Sequence, residues 1–197
     1  MLRRLAIVLA ALGLLAGIWA LLPNWLFYRE RRPTRFGRVT NRAMGWWAAH
    51  GGPPSSMVTL ETQGRRSGRT LTNVLVVARH DGQDYLVSML GERSAWVRNA
   101  RAAGGGATIR HGRPRRVRFV EVPVEERAPI LKAYLRRAIG GRPHFTLSPD
   151  ASVAEFASVA AGYPVFRIVD AIASPAAGRG HELTAGLRRI PPLDELD

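Results

Sequence analysis

The first apolar feature of the chain is Leu5 to Leu22, 18 residues without a charge. As a helix rising about 1.5 Å per residue it extends roughly 27 Å, close to the thickness of a bilayer's hydrocarbon core. Trp19, Trp25, Phe27 and Tyr28 gather at its C-terminal end, where aromatic rings favour the membrane–water boundary, and Pro23 stops the helix. The pattern predicts one N-terminal transmembrane helix. A cleaved signal peptide shares the basic start and the apolar run, but bulky Trp19, Leu21 and Leu22 fill the region where small residues would mark a cleavage site.

Past the apolar run the periodicity turns helical, then alternating. Phe36, Val39, Ala43, Met44 and Trp47 recur at helical spacing between Thr34 and His50, and Gly51-Gly52-Pro53-Pro54 ends that helix. Packing on the core explains such a stripe; its place beside the anchor also lets it lie on a membrane. Met57–Gln63 alternates like a strand, and Val74–Ala78 within Thr70–His80 reads as a buried one. Between them lies the turn-rich Gly64-Arg65-Arg66-Ser67-Gly68-Arg69. Asp81-Gly82 predicts a hairpin into a strand at Tyr85–Met89. A short helix is expected around Ala95–Arg101, and two more strands at Ala107–Arg110 and Arg115–Val122, joined at Gly112.

Val124–Ala138 carries the apolar stripe Ile130, Leu131, Tyr134, Leu135 and Ala138, with acids in its first turn and arginines in its last. A shorter helix at Ser152–Ala161 and a closing strand at Pro164–Asp170 follow. Short antiparallel strands with peripheral helices predict a mainly β fold, a small barrel rather than a parallel sheet. The organisation expected is a membrane anchor (1–28), a basic juxtamembrane segment with an amphipathic helix (29–54), a barrel domain (55–172) and a poorly ordered tail (173–197).

Charge adds a second layer. The 29 basic residues, all but Lys132 arginine, face 15 acidic ones, a formal net charge of +14. Such an excess implies an anionic partner: nucleic acid, a membrane surface or an acidic small molecule. Arg3 and Arg4 precede the apolar run; Arg29, Arg31, Arg32, Arg35, Arg38 and Arg42 follow it, with Glu30 the only acid among them. The bias of cytoplasmic flanks toward basic residues places the body on the cytoplasmic side of the membrane, with these arginines at anionic lipid headgroups. Aromatic residues do not interleave with the arginine clusters in a stacking pattern, which argues against nucleic acid.

The candidate chemistry is narrow. There is no cysteine, so disulfides, thiolate metal sites and thiol nucleophiles are excluded. His50, His80, His111, His144 and His181 show no metal-ligand spacing. No nucleophile elbow, Walker loop or dinucleotide-binding glycine pattern occurs. Two segments remain. In Gly64–Thr70, glycines let the backbone turn and approach a ligand, while Arg65, Arg66, Ser67 and Arg69 offer donors to phosphate or carboxylate oxygens. In Ser88–Ala100, a strand end passes through Gly91 into a helix N-terminus, which presents free N–H groups to anions.

In this order, the Gly-Arg-Arg-Ser-Gly-Arg turn, Asp81-Gly82, Tyr85-Leu86-Val87-Ser88, Gly91, Trp96-x-x-Asn99 and Ala102-x-Gly104 resemble the deazaflavin-dependent nitroreductase family, whose members use coenzyme F420. Tyr163-Pro164-Val165-Phe166 is similar to the family's closing strand. The resemblance implies a split β-barrel of the FMN-binding type, binding its cofactor in a groove, and hydride transfer from reduced F420 to a quinone, nitro or similar electrophile. It implies cofactor phosphate and acidic-tail contacts for Arg65, Arg66, Ser67, Gly68 and Arg69. It assigns the deazaflavin and its linker to Ser88, Met89, Leu90 and Gly91, and support of the pocket and phosphate to Trp96, Arg98 and Asn99. Ser88 becomes a candidate donor to the ring or acceptor, and Tyr134 and Tyr163 candidate proton relays. Glu92-Arg93-Ser94 and Ala100 depart from the family's usual residues, and Glu92 sets an anion where an anionic cofactor is expected. FMN on the same barrel, or a non-enzymatic lipid or fatty-acid carrier at the membrane, are the alternatives.

Overall fold

A computed structural model describes residues 24–29 and 32–171. The proposed anchor Leu5–Leu22 and the tail from residue 173 lie outside the described residues. Among the described residues no helix is long and apolar enough to cross a membrane.

A short helix α1 (Asn24–Phe27) and the two-residue strands β1 (Tyr28–Arg29) and β2 (Arg32–Pro33) lead into α2 (Arg35–Ala49). Thr34 caps α2, its hydroxyl accepting from the Gly37 N–H at 3.0 Å. Six strands follow: β3 (Met57–Gln63), β4 (Thr70–His80), β5 (Gln83–Val87), β6 (Gly106–His111), β7 (Arg113–Glu121) and β8 (Val165–Asp170). They close into a barrel in the order β3-β4-β5-β8-β7-β6, with β6 returning to β3 and every pair antiparallel. The mainly β expectation and the split-barrel resemblance both agree with this closed, helix-flanked barrel.

Strand alternation sorts the side chains into two cores. Val58, Leu60, Leu75, Val77, Leu86, Ile109, Val117, Phe119, Phe166 and Ile168 fill the barrel interior. The opposite parity of β4 and β5 (Val76, Ala78, Tyr85, Val87) packs outward against α4 (Arg127–Arg137) and α5 (Val153–Val159), where Leu131, Tyr134, Leu135 and Phe156 complete a second core. Helix α3 (Ala95–Ala102) belongs to the first core: Trp96, Val97 and Ala100 are buried in the barrel end from which the Gly64–Arg69 turn projects.

Several boundaries differ from the sequence expectation. The strand expected to reach Met89 ends at Val87, because the chain turns at Gly91 with φ 72°, a left-handed conformation that favours glycine. The helix expected from Val124 opens as a 3₁₀ turn and becomes α only at Arg127, with Pro129 in its first turn, where a missing N–H costs nothing. Residues Ile139–His144 form a 3₁₀ segment that no apolar period announced.

Of the two readings open for the apolar stripe of α2, packing on the core does not hold: the helix turns its small-residue side to the barrel. Gly37 and Ala48 are its buried residues, Gly45 lies against the Val74 side chain, and Thr59 donates to the Gly45 carbonyl at 2.7 Å. Gly45 lets the helix approach the sheet closely, while Gly37 lies against the Phe27 backbone. The large apolar ones point away: Val39 is 66% and Trp46 64% exposed, with Phe36 and Trp47 beside them.

Candidate functional site

The two motif segments meet at one end of the barrel. The Gly64–Arg69 turn closes on itself: Gly64 N–H donates to the Arg69 carbonyl at 2.8 Å and Gly68 N–H to the Gly64 carbonyl at 2.8 Å. Gly68 has φ 64° with open space around it, so the loop follows a course that a side chain would strain. Arg65, Arg66, Ser67, Gly68 and Arg69 are all exposed.

Asn99 holds this turn in place. Its side chain is 2% exposed, and its Oδ1 accepts from the Arg65 backbone N–H at 3.4 Å and the Arg65 guanidinium at 3.3 Å. The Asn99 Nδ2 and the Thr62 hydroxyl are both buried and have no partner among the described residues. Buried donors left unpaired are uncommon and costly. Thr62 sits on the inward-facing row of β3, two residues before Gly64, so both orphans lie at the base of the arginine turn. That arrangement fits a ligand rich in phosphate and carboxylate oxygens: exposed guanidiniums for its charge, and unpaired donors for its acceptors.

The loop after β5 is self-supporting. Ser88 is 1% exposed; its hydroxyl donates to the Gly91 carbonyl at 2.8 Å and pairs with the Ser94 hydroxyl at 2.6 Å. Its single proton is thus committed within the loop, which leaves no hydrogen for a ring or acceptor oxygen. Gly91 is buried, and Met89 packs on the outer core while Leu90 is half-buried. Trp96 lies edge-on to Phe166 and Phe119 with centroids 5.4 and 6.4 Å apart, a packing role. Arg98 is exposed and donates to the Arg93 carbonyl at 3.0 Å.

Glu92 does not confront the arginine turn with a bare charge. Its carboxylate binds both Arg101 guanidinium nitrogens, at 2.6 and 3.0 Å, and Arg101 also holds Glu121. The Arg101 hydrogen bond holds the Glu92 carboxyl below the usual glutamate range.

The two tyrosines stand apart from this group. Tyr134 is 4% exposed in the core under α4, and burial raises its hydroxyl above the usual phenol value. Tyr163 is stacked on Phe145 at 4.0 Å and donates to the His144 carbonyl at 2.9 Å. The structure therefore joins Arg65 of the turn to Asn99 of α3, ties Ser88 to Gly91 and Ser94 within its own loop, and leaves Tyr134 and Tyr163 in the helical core. Thr62 is the site residue that sequence reasoning missed. As one polar residue in an alternating strand it carried no signal; only its inward parity at the strand's end could have marked it. No group of three or more His, Cys, Asp or Glu side chains suited to a metal occurs among the described residues.

No curated protein sequence matches the chain. Solved structures similar to it include an F420-H2 dependent reductase, FDR-A, at 20% identity over 58% of this chain and 94% of that one, with a TM-score of 0.39. Others are a domain-swapped dimer (16%, 68% and 92%, TM-score 0.43) and an F420 reductase (16%, 64% and 93%, TM-score 0.37). At these values the likeness bears on neither ligand nor acceptor. The family comparison is stronger: the model for F420H(2)-dependent quinone reductase matches residues 31–138, more than half of the chain, and spans β3 to β7, the arginine turn and α3. The protein belongs to the F420H(2)-dependent quinone reductase family, and is an oxidoreductase whose cofactor is coenzyme F420.

Proposed function

We propose that the protein is a membrane-bound reductase of the cytoplasmic face, passing a hydride from reduced F420 to a quinone or a similar electrophile such as a nitro compound. When bound, the reduced deazaflavin supplies the hydride. Arg65, Arg66 and Arg69 neutralise the phosphate and acidic tail, and Asn99 fixes the turn that carries them. Asn99 Nδ2 and the Thr62 hydroxyl donate to ligand oxygens, and α3 seals that barrel end against water. With Ser88 committed to its own loop and Tyr134 and Tyr163 in the core, the accompanying proton comes from solvent, so a quinone plus hydride plus proton gives the quinol.

The observation that carries the cofactor reading is the docking of an exposed arginine turn on a buried asparagine beside two unpaired donors. Arg66→Ala should raise the dissociation constant for reduced F420 at least tenfold, read by fluorescence titration; unchanged affinity would refute the assignment. Titration with FMN gives the contrast, since weak FMN binding beside tight F420 binding separates the two cofactors.

Membrane attachment rests on a second observation. The face of α2 turned away from the barrel carries Phe36, Val39 and Trp46 with Arg35, Arg38 and Arg42 alongside, all exposed. Apolar rings flanked by arginines suit the boundary of an anionic bilayer. The uncharged run Leu5–Leu22 precedes this helix and would cross the membrane, which makes a lipid-soluble quinone a natural acceptor. Protease applied to intact cells should leave the body undigested; digestion from outside would reverse the topology.

A further inference from the structure

The barrel has two mouths, and they are built differently. Helix α3 plugs the mouth beside the arginine turn. At the other, where β3 and β8 respectively begin and end, a concavity of about 380 Å³ remains, within the range of small-ligand sites.

Its composition follows from strand parity. Val58, Val77, Ile109 and Ile168 face the barrel interior and form an apolar floor. The next inward positions toward the mouth are charged or polar: Arg79 follows Val77, Asp84 precedes Leu86, His111 follows Ile109, and Arg113 and Arg115 precede Val117. Arg137, the last residue of α4, completes the lining. Two of the four arginines are balanced, Arg79 by Asp84 at 3.0 Å and Arg115 by Asp170 at 3.0 Å. Arg113 and Arg137 have no carboxylate partner among the described residues. Ser55 and Ser56 add hydroxyls at the rim. Two unbalanced guanidiniums above a low-dielectric floor concentrate positive potential in the concavity.

We infer that this mouth is a second ligand site, separate from the arginine turn, that takes an amphiphile with a phosphate or carboxylate head. Arg113 and Arg137 pair with the head, and the four aliphatic side chains receive the first carbons of its apolar part. A floor without the arginines would suit a neutral hydrophobe, and arginines without the floor would suit inorganic phosphate. The combination selects a molecule that has both.

The test is calorimetric titration of the full chain, held in phosphatidylcholine nanodiscs, with octyl phosphate below its micellar concentration. Saturable binding of one equivalent is expected, with inorganic phosphate at least tenfold weaker. The double variant Arg113→Gln/Arg137→Gln should lose at least tenfold in octyl phosphate affinity, and Arg113→Lys/Arg137→Lys should recover much of it. Both positions are exposed and unpaired, so an unchanged thermal midpoint verifies the fold. Saturating reduced F420 should leave octyl phosphate binding unaltered, and the Gln variant should bind F420 like the parent. If phosphatidylglycerol in the nanodisc weakens octyl phosphate binding, the natural head is that of a bilayer lipid. If it does not, the ligand is a free amphiphile. Equal affinity in parent and Gln variant, absence of saturable binding, or competition with F420 would overturn the inference, and none of these bears on the cofactor reading.

Discussion

Asn99 joins segments 34 residues apart through one carbonyl oxygen. The sequence motif named it as a pocket residue, but its partner Arg65 was not legible, because a contact between a helix and a distant turn leaves no local pattern. By resemblance Ser88 reads as a donor to the ring or acceptor, but φ 72° at Gly91 folds the loop back, and the hydroxyl is spent on that loop. Glu92 is the clearest case of a partner changing a residue's meaning. The Arg101 hydrogen bond holds its carboxyl below the ordinary value of 4.5, so the pair stabilises the fold fully above that value. The contribution disappears as pH falls through the lower folded value, while Arg101 stays charged. The pair is half-exposed, so the gain is modest. Glu92→Gln should therefore lower the thermal midpoint at neutral pH, and the gap from the parent should close on acidification below about 4.5. A gap independent of pH would remove the ion pair from the account.

At the scale of elements, periodicity located the strands and helices well and left open which way α2 faces. The strands β3 and β4 have the bounds that alternation and the β-rich run predict. Helix α2 has its predicted length, but its large apolar side chains look outward, because hydrophobic spacing does not say which neighbour covers a stripe. The glycines at 37 and 45 were the overlooked signal: they mark where backbone approaches backbone or strand. If the outward face meets lipid, Trp46 lies in the interfacial region. Vesicles of brominated lipid should quench tryptophan emission of the full chain, and Trp46→Phe should remove a large share of that quenching. Equal fractional quenching in the variant would place this face in water.

Across the whole molecule one buried side chain ties the barrel to its helical layer. Arg127 is 6% exposed; it donates to the Val122 carbonyl at 2.8 Å and the Tyr163 carbonyl at 3.5 Å, and pairs with Glu121 at 3.2 Å. It thereby fixes the end of β7, the start of α4 and the approach to β8. Arg127→Ala removes these bonds and should cost about 2–3 kcal/mol of stability, measured by urea unfolding; a loss under about 0.5 kcal/mol would make the tie ornamental. The net charge of +14 read as one property in sequence and divides in space. Arginines 65, 66 and 69 crown one mouth, 79, 113, 115 and 137 line the other, and 35, 38 and 42 run along α2. Parity was readable from each strand, but the wrapping that gathers those rows into two mouths depends on register between distant strands. The closed strand order has one further consequence. Each barrel strand has a neighbour on both sides, β3 and β6 meeting over Thr59–Glu61. Along Thr70–Val76, however, β4 pairs with β3 alone, because β5 joins it only from Val77 to His80, so one edge of that stretch has no strand neighbour among the described residues. That stretch leads out of the exposed arginine turn, and like-charge repulsion between two copies of so basic a chain opposes strand pairing there.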